Sequence, residues 1–264
     1  DHRDLHSFPT RRSSDLSGIY FQEELPLSIY KHPLNQNVLD AATERITWTL
    51  ENLPRVCVSF SGGKDSTIMF HLTARQARKM GKKICLLFID WEAQFTCTIQ
   101  HVNNMIAQYA DVIEKCWWVA LPLTTQNSLS QFQPEWQCWE PGKNWVRTPP
   151  EEAVTDPDYF SFYQPGMTFE AFVREFSDWF AKRRPAAMMI GIRADESYNR
   201  FLTIANARKQ RFADDKPWTT VAPGGHAWYV YPLYDWKTAD IWTWFAKTGG
   251  CYNPLYDLMF QAGV

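Results

Sequence analysis

Short, continuously apolar runs alternate along this chain with longer segments in which apolar residues recur every three to four positions. Residues 36–52 show the second pattern, with Val38, Ile46 and Leu50 on one helical face. Residues 83–90 show the first, which is typical of a parallel strand covered on both faces. Over the first half, the pattern predicts helices at 36–52, 66–80 and 95–109 and strands at 55–60, 83–90 and 112–121. This order favours an α/β fold, a mostly parallel sheet with helices on both faces.

A Trp- and Pro-rich segment, residues 122–168, interrupts this rhythm, and we interpret it as an irregular insertion or lid. After it, the pattern predicts helices at 169–182, 195–209 and 237–247, strands at 186–192 and 227–233, and a polar loop at 210–226.

The two ends of the chain are expected to lie outside this pattern. Residues 1–16 are polar and show neither period. They resemble translated sequencing-adapter sequence, and the alternative is a disordered natural leader. We therefore expect one domain over residues 17–264. The chain stops at Val264 just after a well-patterned aromatic segment, so we expect the domain to be truncated at its C-terminus.

The composition narrows the class of protein. The 264 residues are 45% hydrophobic, enough for a sizeable core, and carry a net charge of −2. This charge gives no global basic field, although it does not exclude nucleic acid as a partner. Six cysteines without a CxxC pair favour a reducing cytoplasm over a disulfide framework. No apolar run reaches the roughly 18 residues of a membrane-spanning helix, so we expect no membrane partner.

The strongest chemical signal lies between the strand at 55–60 and the helix at 66–80. Paired glycines are flanked there by hydroxyl groups, a lysine and an aspartate, in the order Ser61, Gly62, Gly63, Lys64, Asp65 and Ser66. Glycine lets backbone N–H groups approach an anion, and a strand that turns into a helix N-terminus directs them at it. The spacing is not that of a Walker A loop. We interpret the hexapeptide as a phosphate-binding loop, the alternative being a Gly-Gly turn without a ligand.

Several acidic residues are candidates to hold Mg²⁺ beside such a phosphate. Asp65 and Asp90 come first, and Glu92, Asp195 and Glu196 follow predicted strands at the same edge of the sheet. Each has a structural alternative. Asp65 can cap a helix, Asp195 and Glu196 can complement a helix dipole, and Asp90 can be a solvated strand end.

Arg193 and Arg200 are candidates to bind the anion and to act in catalysis with Lys64. A guanidinium group matches phosphate or sulfate through two parallel hydrogen bonds. The two arginines are seven residues apart, so on a helix they lie on nearly the same face. The alternative is a pair of surface arginines.

Four motifs, taken in order, carry a resemblance to a known family. They are the hexapeptide at 61–66, Gly-Ile-Arg-Ala-Asp-Glu-Ser-Tyr-Asn-Arg at 191–200, Tyr-Pro-Leu-Tyr-Asp-Trp at 231–236 and Tyr-Asn-Pro-Leu-Tyr-Asp at 252–257. Together they resemble the phosphoadenosine phosphosulfate (PAPS) reductases and the sulfate adenylyltransferase small subunits, of the ATP pyrophosphatase (PP-loop) superfamily. With its Trp-rich insertion, the chain is most similar to a subgroup that includes the immunoglobulin-binding regulator A proteins.

The resemblance implies an adenine nucleotide α-hydrolase-like, Rossmann-like fold that binds ATP, PAPS or adenylyl sulfate. It implies that residues 61–66 hold the phosphates, that Asp90 contacts the nucleotide, and that Arg193 and Arg200 bind its anionic moiety. It also implies a ParB-like partner protein, since the subgroup is usually paired with one.

The chain departs from the reductases at the residues that reduce sulfate. Their nucleophilic cysteine lies in a late Glu-Cys-Gly motif that is not found here, and neither are the paired cysteines of an iron–sulfur cluster. Cys251 precedes the Tyr-Asn-Pro turn and follows a predicted helix C-terminus, which does not favour a thiolate. Three hypotheses stay open: an enzyme acting at a nucleotide phosphoanhydride, a non-catalytic regulator that partners a ParB-like protein, and an adenylating enzyme of nucleic-acid modification.

Overall fold

A computed structural model describes residues 35–127, 131–205, 209–213 and 215–264. All of these except residue 35 belong to a compact unit that begins at Gln36. The predicted leader, residues 1–16, lies outside the described residues, as do residues 206–208 of the helix predicted at 195–209.

The helices and strands predicted from the sequence occur in the predicted order. The structure adds three strands and one α-helix that were not predicted: the strands Thr124–Gln126, Glu135–Gln137 and Thr219–Val221 and the helix Leu255–Gln261. The helices are α1 (Val38–Asn52), α2 (Lys64–Lys79), α3 (Thr96–Gln108), α4 (Phe169–Ala181), α5 (Tyr198–Ala205), α6 (Thr238–Thr248) and α7 (Leu255–Gln261). The strands are β1 (Arg55–Ser59), β2 (Ile84–Ile89), β3 (Ile113–Val119), β4 (Thr124–Gln126), β5 (Glu135–Gln137), β6 (Ala186–Ile190), β7 (Thr219–Val221) and β8 (Ala227–Val230). Among these helices, none is both long and apolar enough to cross a membrane.

The central sheet has the strand order β3-β2-β1-β6-β8-β7. Every neighbouring pair is parallel except β7 and β8. The chain moves outward from β1 to β3 and then returns to the other side of β1 with β6. The loops that leave the carboxyl ends of β1 and β6 therefore diverge, which opens a crevice between them. This topology confirms the predicted α/β fold and places the hexapeptide at the crevice.

Alternate residues of β1 serve two separate cores, because side chains of a strand point to opposite faces. Val56 and Val58 join the core formed with α1, α2, α3 and α6, whereas Cys57 joins the core on the other face. In that second core α4 buries a stripe of aromatic side chains spaced four residues apart: Phe172, Phe176 and Phe180. Helices thus cover both faces of the sheet, as the continuous apolar strands predicted.

The segment 122–168 is more ordered than the irregular insertion that the sequence predicts. It contains the hairpin of β4 and β5 and a short 3-10 helix at Pro157–Tyr159. It also pairs with the sheet, because Val154 N–H donates to Trp118 O (2.7 Å) and Ala120 N–H donates to Val154 O (3.0 Å). The insertion therefore covers the carboxyl end of the outer edge of β3, where unpaired backbone groups would otherwise be exposed.

Two predicted boundaries were wrong for identifiable reasons. Helix α5 begins at Tyr198 rather than at residue 195, because Ser197 caps it by accepting from Arg200 N–H (3.2 Å). The segment 210–226, predicted as a loop, contains β7. A turn with Gly224 and Gly225 at positive φ returns the chain so that β7 pairs antiparallel with β8.

Two buried histidines connect α2 to α3 and to the segment after α6. The imidazole of His71 hydrogen-bonds to the Tyr109 hydroxyl (2.6 Å) and to Cys251 O (2.9 Å). His101 hydrogen-bonds to the Thr67 hydroxyl (2.9 Å). Burial, together with the charge of Arg75, lowers the pKa of His71 to about 4. Burial, together with the neighbouring His71, lowers the pKa of His101 to about 4. Both are therefore neutral at pH 7.

We predict that these histidines make the protein less stable as the pH falls from 6.5 to 4. In that window an unfolded imidazole carries a proton that the folded one lacks, so acid favours unfolding by about 1.4 kcal/mol per pH unit for each histidine. In His101→Gln, urea unfolding at pH 7, 6, 5 and 4.5 should show a shallower fall of the unfolding free energy than in the wild type. An unchanged slope in His101→Gln would contradict this assignment.

Candidate functional site

The loop between β1 and α2 has a backbone shape that one of its glycines requires. Gly62 has a φ of +74°, and a Cβ at this position would lie 3.1 Å from Thr98 Cγ2 and 3.2 Å from Val102 Cγ2. A side chain would thus meet both an unfavourable backbone region and the first turns of α3. The loop is therefore seated closely on α3.

The first turn of α2 has backbone N–H groups that no N-cap side chain accepts from. Its N-cap is Gly63, which has no side chain to accept a hydrogen bond, whereas Thr67 N–H already donates to Gly63 O (2.9 Å). Within the described part of the chain, the N–H groups of Asp65 and Ser66 have no acceptor. The N–H of Lys64 donates to the hydroxyl of Tyr256 (3.0 Å). An anion at this helix end would meet the N–H donors of Asp65 and Ser66 and the positive end of the helix dipole.

The two serines of the hexapeptide fix the loop internally. Their hydroxyl oxygens are 3.0 Å apart, and the Ser66 hydroxyl donates to Gly63 O (3.0 Å). The Ser61 hydroxyl also accepts weakly from Gly63 N–H (3.4 Å). These contacts hold the donors of the helix end in place before any ligand arrives.

Lys64 and Arg193 both pair with the carboxylate of Asp65. Lys64 Nζ is 3.0 Å from Asp65 Oδ2, and Arg193 Nε is 2.7 Å from Asp65 Oδ1. The guanidinium of Arg193 is only 2% exposed, and its other nitrogens donate to Trp236 O and to the Thr238 hydroxyl (3.3 Å each). Arg193 thus lies next to the hexapeptide, with its donors directed at protein groups.

The loop after β6 presses directly on the first turn of α2. A Cβ at Gly191 would lie 3.1 Å from both Cα and N of Ser66. Backbone contact of this closeness favours glycine, since a Cβ here would push the first turn of α2 away. The crevice predicted from the strand order is therefore lined by the hexapeptide on one side and by residues 191–196 on the other.

Arg200 and the acidic residues Asp195 and Glu196 lie closer to the protein surface than Arg193 does. Arg200 has a side chain that is 53% exposed, and its Nε is 3.6 Å from Glu196 Oε2. Asp195 is exposed and lies 3.9 Å from Arg193. The expected shared helical face of Arg193 and Arg200 is not formed, because Arg193 precedes α5 by five residues.

The structure buries Asp90 under the insertion. Its side chain is 0% exposed and forms an ion pair with Arg147, a residue of the insertion. It also accepts from the Trp118 indole N–H (2.7 Å) and from Glu92 N–H (2.9 Å). The role of Arg147 was missed by sequence reasoning, since no pattern in residues 122–168 indicates which cation reaches the strand end.

Glu92, two residues after Asp90, makes further contacts with the insertion. It has a φ of +59°, and its carboxylate accepts from Trp139 N–H (2.6 Å) and Val146 N–H (2.9 Å). Arg147 Nε donates to the carbonyl of Glu92 (3.0 Å). Asp90, Glu92 and Arg147 together form a polar anchor that fastens the insertion to the carboxyl end of β2.

These contacts bear on the Mg²⁺ site predicted from Asp65 and Asp90. Each of the two carboxylates is already paired with a cationic side chain, and Asp90 is closed off from solvent. Among the residues that the structure describes, no group of three or more His, Cys, Asp or Glu side chains is placed to hold a metal ion. As folded, these residues do not fit a protein-ligated Mg²⁺ ion.

The turn after α6 contributes two contacts that sequence reasoning missed. Asn253 is buried, and its amide donates to Gly62 O (3.1 Å) and to the Thr98 hydroxyl (2.9 Å). Tyr256, at the start of α7, reaches Lys64 N–H. The motif at 252–257 was the available signal, but nothing in its composition indicates that it contacts the hexapeptide.

Cys251, the candidate nucleophile of the sequence analysis, does not lie at the hexapeptide. Cys251 is exposed, and its Sγ is 3.2 Å from Gln108 Oε1 and 3.7 Å from His71 Nε2. His71 is two turns along α2 from Lys64, or about 10 Å along the helix axis. Although the residue is exposed, its Sγ packs against Gln108 and His71, and this partial desolvation raises the pKa of Cys251. The raised pKa disfavours the thiolate.

A comparison with protein-family models finds one that covers most of the described chain. The model of the phosphoadenosine phosphosulfate reductase domain matches residues 55–262. The chain belongs to this family. The family predicted from the four motifs is thus confirmed, whereas the immunoglobulin-binding regulator A subgroup stays a prediction.

Two curated relatives of this PAPS reductase domain are longer than the chain. It is 73% identical over 238 residues to the uncharacterized protein YbdN of Escherichia coli strain K12, covering 90% of the chain and 59% of YbdN. It is 24% identical over 203 residues to the uncharacterized protein MJ0973 of Methanocaldococcus jannaschii, covering 77% of the chain and 38% of MJ0973. The chain therefore spans about half the length of these relatives.

Solved structures that resemble this PAPS reductase domain are distant in sequence. A phosphate complex of the PAPS reductase of Candida auris is 15% identical with a TM-score of 0.47, covering 86% of this chain and 94% of that one. The FMN adenylyltransferase of Candida glabrata in complex with ATP is 15% identical with a TM-score of 0.45, covering 86% of this chain and 62% of that one.

We predict that the polar anchor dominates the stability of the insertion. Arg147→Ala leaves the buried Asp90 carboxylate without its counter-charge and should lower the unfolding free energy by about 3–5 kcal/mol in urea titrations. Lys143→Ala removes an exposed, 3.9 Å ion pair with Glu140 in the same insertion and should change little.

The double variant Arg147→Ala/Asp90→Asn distinguishes the effect of the unpaired Asp90 charge from the effect of losing the packing of the Arg147 side chain. Since it removes the buried charge as well, it should recover part of the lost stability. An Arg147→Ala variant as stable as Lys143→Ala would show that the anchor contributes nothing.

We predict that Gly62 is needed for its closeness to α3 as well as for its φ. Gly62→Ala should lower the unfolding free energy by more than the roughly 1–2 kcal/mol that positive φ costs a non-glycine residue. Gly81→Ala is the matched control, because Gly81 has a φ of +65° but no atom within 4 Å of its Cβ position. Equal losses in the two variants would show that contact with Thr98 and Val102 is unimportant.

Proposed function

We propose that this PAPS reductase domain binds the phosphate chain of an adenine nucleotide at the hexapeptide and acts at its phosphoanhydride. The observation that carries the proposal is the uncapped start of α2. Within the described residues, the N–H groups of Asp65 and Ser66 have no acceptor there, and that of Lys64 meets only the Tyr256 hydroxyl. They lie beside the Lys64 side chain and at the topological switch point of the sheet.

The proposed chemistry is mainly electrostatic. Charge that develops on a phosphoryl oxygen would be stabilised by the fixed N–H groups of α2 and by the ammonium group of Lys64. Asp65 and Arg193 position Lys64, because the carboxylate of Asp65 lies between the two cations. The proposal gives no role to a protein-bound metal ion, since Asp65 and Asp90 are already paired.

Two reactions at the phosphoanhydride are distinguished by their products. With ATP, attack of an acceptor on the α-phosphorus forms a bond from the acceptor to that phosphorus and releases pyrophosphate. With PAPS, a thiolate would attack the sulfur, forming an S–S bond and releasing adenosine bisphosphate. A second thiol would then displace sulfite from this S-sulfonate and form a disulfide. The position and raised pKa of Cys251 do not support it as that thiolate.

We predict that Lys64→Ala weakens binding of ATP and PAPS by about 10-fold or more, because a hydrogen bond to a charged group contributes about 1.5–3 kcal/mol. Calorimetric titration of the chain with each nucleotide measures this effect. Lys79→Ala is the matched control, since Lys79 is exposed at the other end of the same helix and its loss removes the same charge.

The same proteins can be assayed for products. Pyrophosphate release from ATP that Lys64→Ala abolishes would support the adenylating reaction, and sulfite release from PAPS would support reduction. Nucleotide binding without turnover, alone or with a ParB-like protein, would favour the regulatory alternative. If neither nucleotide binds to the wild type, the proposal fails.

A further inference from the structure

Tyr256 occupies one of the donors that a phosphate group would need. Its hydroxyl oxygen accepts the hydrogen bond from Lys64 N–H, the first amide of α2 (3.0 Å). The same oxygen would lie 3.6 Å from a Cβ at Gly63, so it is directly above the glycine N-cap. A phenol oxygen thus stands where a phosphate oxygen is expected.

The ring of Tyr256 also lies near the charged end of Lys64. The Nζ atom is 5.7 Å from the ring centroid, on its face. Both binding groups of Lys64, its N–H and its ammonium, therefore have partners within the protein: Tyr256 contacts both, and Asp65 pairs with the ammonium. An incoming anion has to replace at least the first of these contacts.

The turn that carries Tyr256 is fixed to the same loop at a second point. Asn253 donates to Gly62 O and to the Thr98 hydroxyl, and its side-chain oxygen accepts from Leu255 N–H (3.0 Å). Asn253 is buried, whereas Tyr256 is partly exposed and most of α7 is exposed. The fixed point of the turn can therefore stay in place while the phenol leaves Lys64.

We propose that Tyr256 is an internal competitor of the phosphate group, which must displace the phenol from Lys64 N–H in order to bind. The physical reason is that one N–H has one hydrogen to donate, so a phenol oxygen and a phosphate oxygen cannot both accept it at full strength. A charged acceptor forms the stronger bond, so the exchange proceeds when the anion is present. This inference rests on the proposed function of the hexapeptide.

Binding measurements test the direction of the effect. Inorganic pyrophosphate and ATP are titrated into the wild type, Tyr256→Phe and Tyr252→Phe. If the phenol competes, Tyr256→Phe should bind both about 2- to 10-fold more tightly, the gain expected for removal of one competing hydrogen bond. Tyr252→Phe removes a hydroxyl of the same turn that bonds to Asp257 (2.8 Å) and should keep the wild-type Kd.

Amide hydrogen exchange adds a readout that does not depend on affinity. Without ligand, Tyr256→Phe should speed exchange in a peptide that contains Lys64. In the wild type, pyrophosphate should slow exchange over residues 61–66 and speed it over 255–261, because the anion takes the amides and releases α7. Faster exchange in one segment with slower exchange in the other is the signature of displacement.

The outcomes that overturn the inference differ from those that overturn the proposed function. Weaker binding by Tyr256→Phe, with both segments protected by pyrophosphate, would make Tyr256 a ligand of the phosphate rather than its competitor. Equal Kd values in all three proteins would show that the phenol has no effect. If neither the wild type nor Tyr256→Phe binds pyrophosphate or ATP, the proposed function fails and this inference fails with it.

Discussion

The buried guanidinium of Arg193 joins three parts of the chain that are distant in sequence. It pairs with Asp65 in the first turn of α2, and it donates to Trp236 and Thr238 at the turn that begins α6. A charge that is 2% exposed requires such partners, so these segments have to meet at the carboxyl end of β6. The close approach of Gly191 to Ser66 is possible because this contact holds the two loops together.

Most of the fold could be predicted from the sequence, because its signals are local. The apolar runs of β1, β2 and β6, the helical spacing of α1 and the Gly-rich loop each act within a few residues. The order of these elements then leaves few topologies. The errors arose where the signal was small, as for the Ser197 cap of α5, or where pairing decided the structure, as for β7 against β8.

The candidate site was predictable only in part, for a related reason. The hexapeptide lies on one turn, so its residues could be identified together. The environment of Asp90 depends on Arg147, which is 57 residues away, and that of Lys64 depends on Tyr256, which is 192 residues away. An acidic residue at a strand end looks the same in sequence whether it faces a ligand or a buried arginine. The insertion decides between the two.

Because the insertion pairs with the carboxyl end of β3, it limits how this domain can be recombined with other proteins in evolution. Residues 122–168 supply the backbone partner of Trp118 as well as the counter-charge of Asp90. A version without them would leave two acidic side chains uncompensated and a sheet edge open to strand addition by other chains. The insertion is therefore not a detachable module. Recombination that moves the central sheet and its helices into another protein would have to move residues 122–168 as well. Otherwise Asp90 and Glu92 would have to be replaced at the same time.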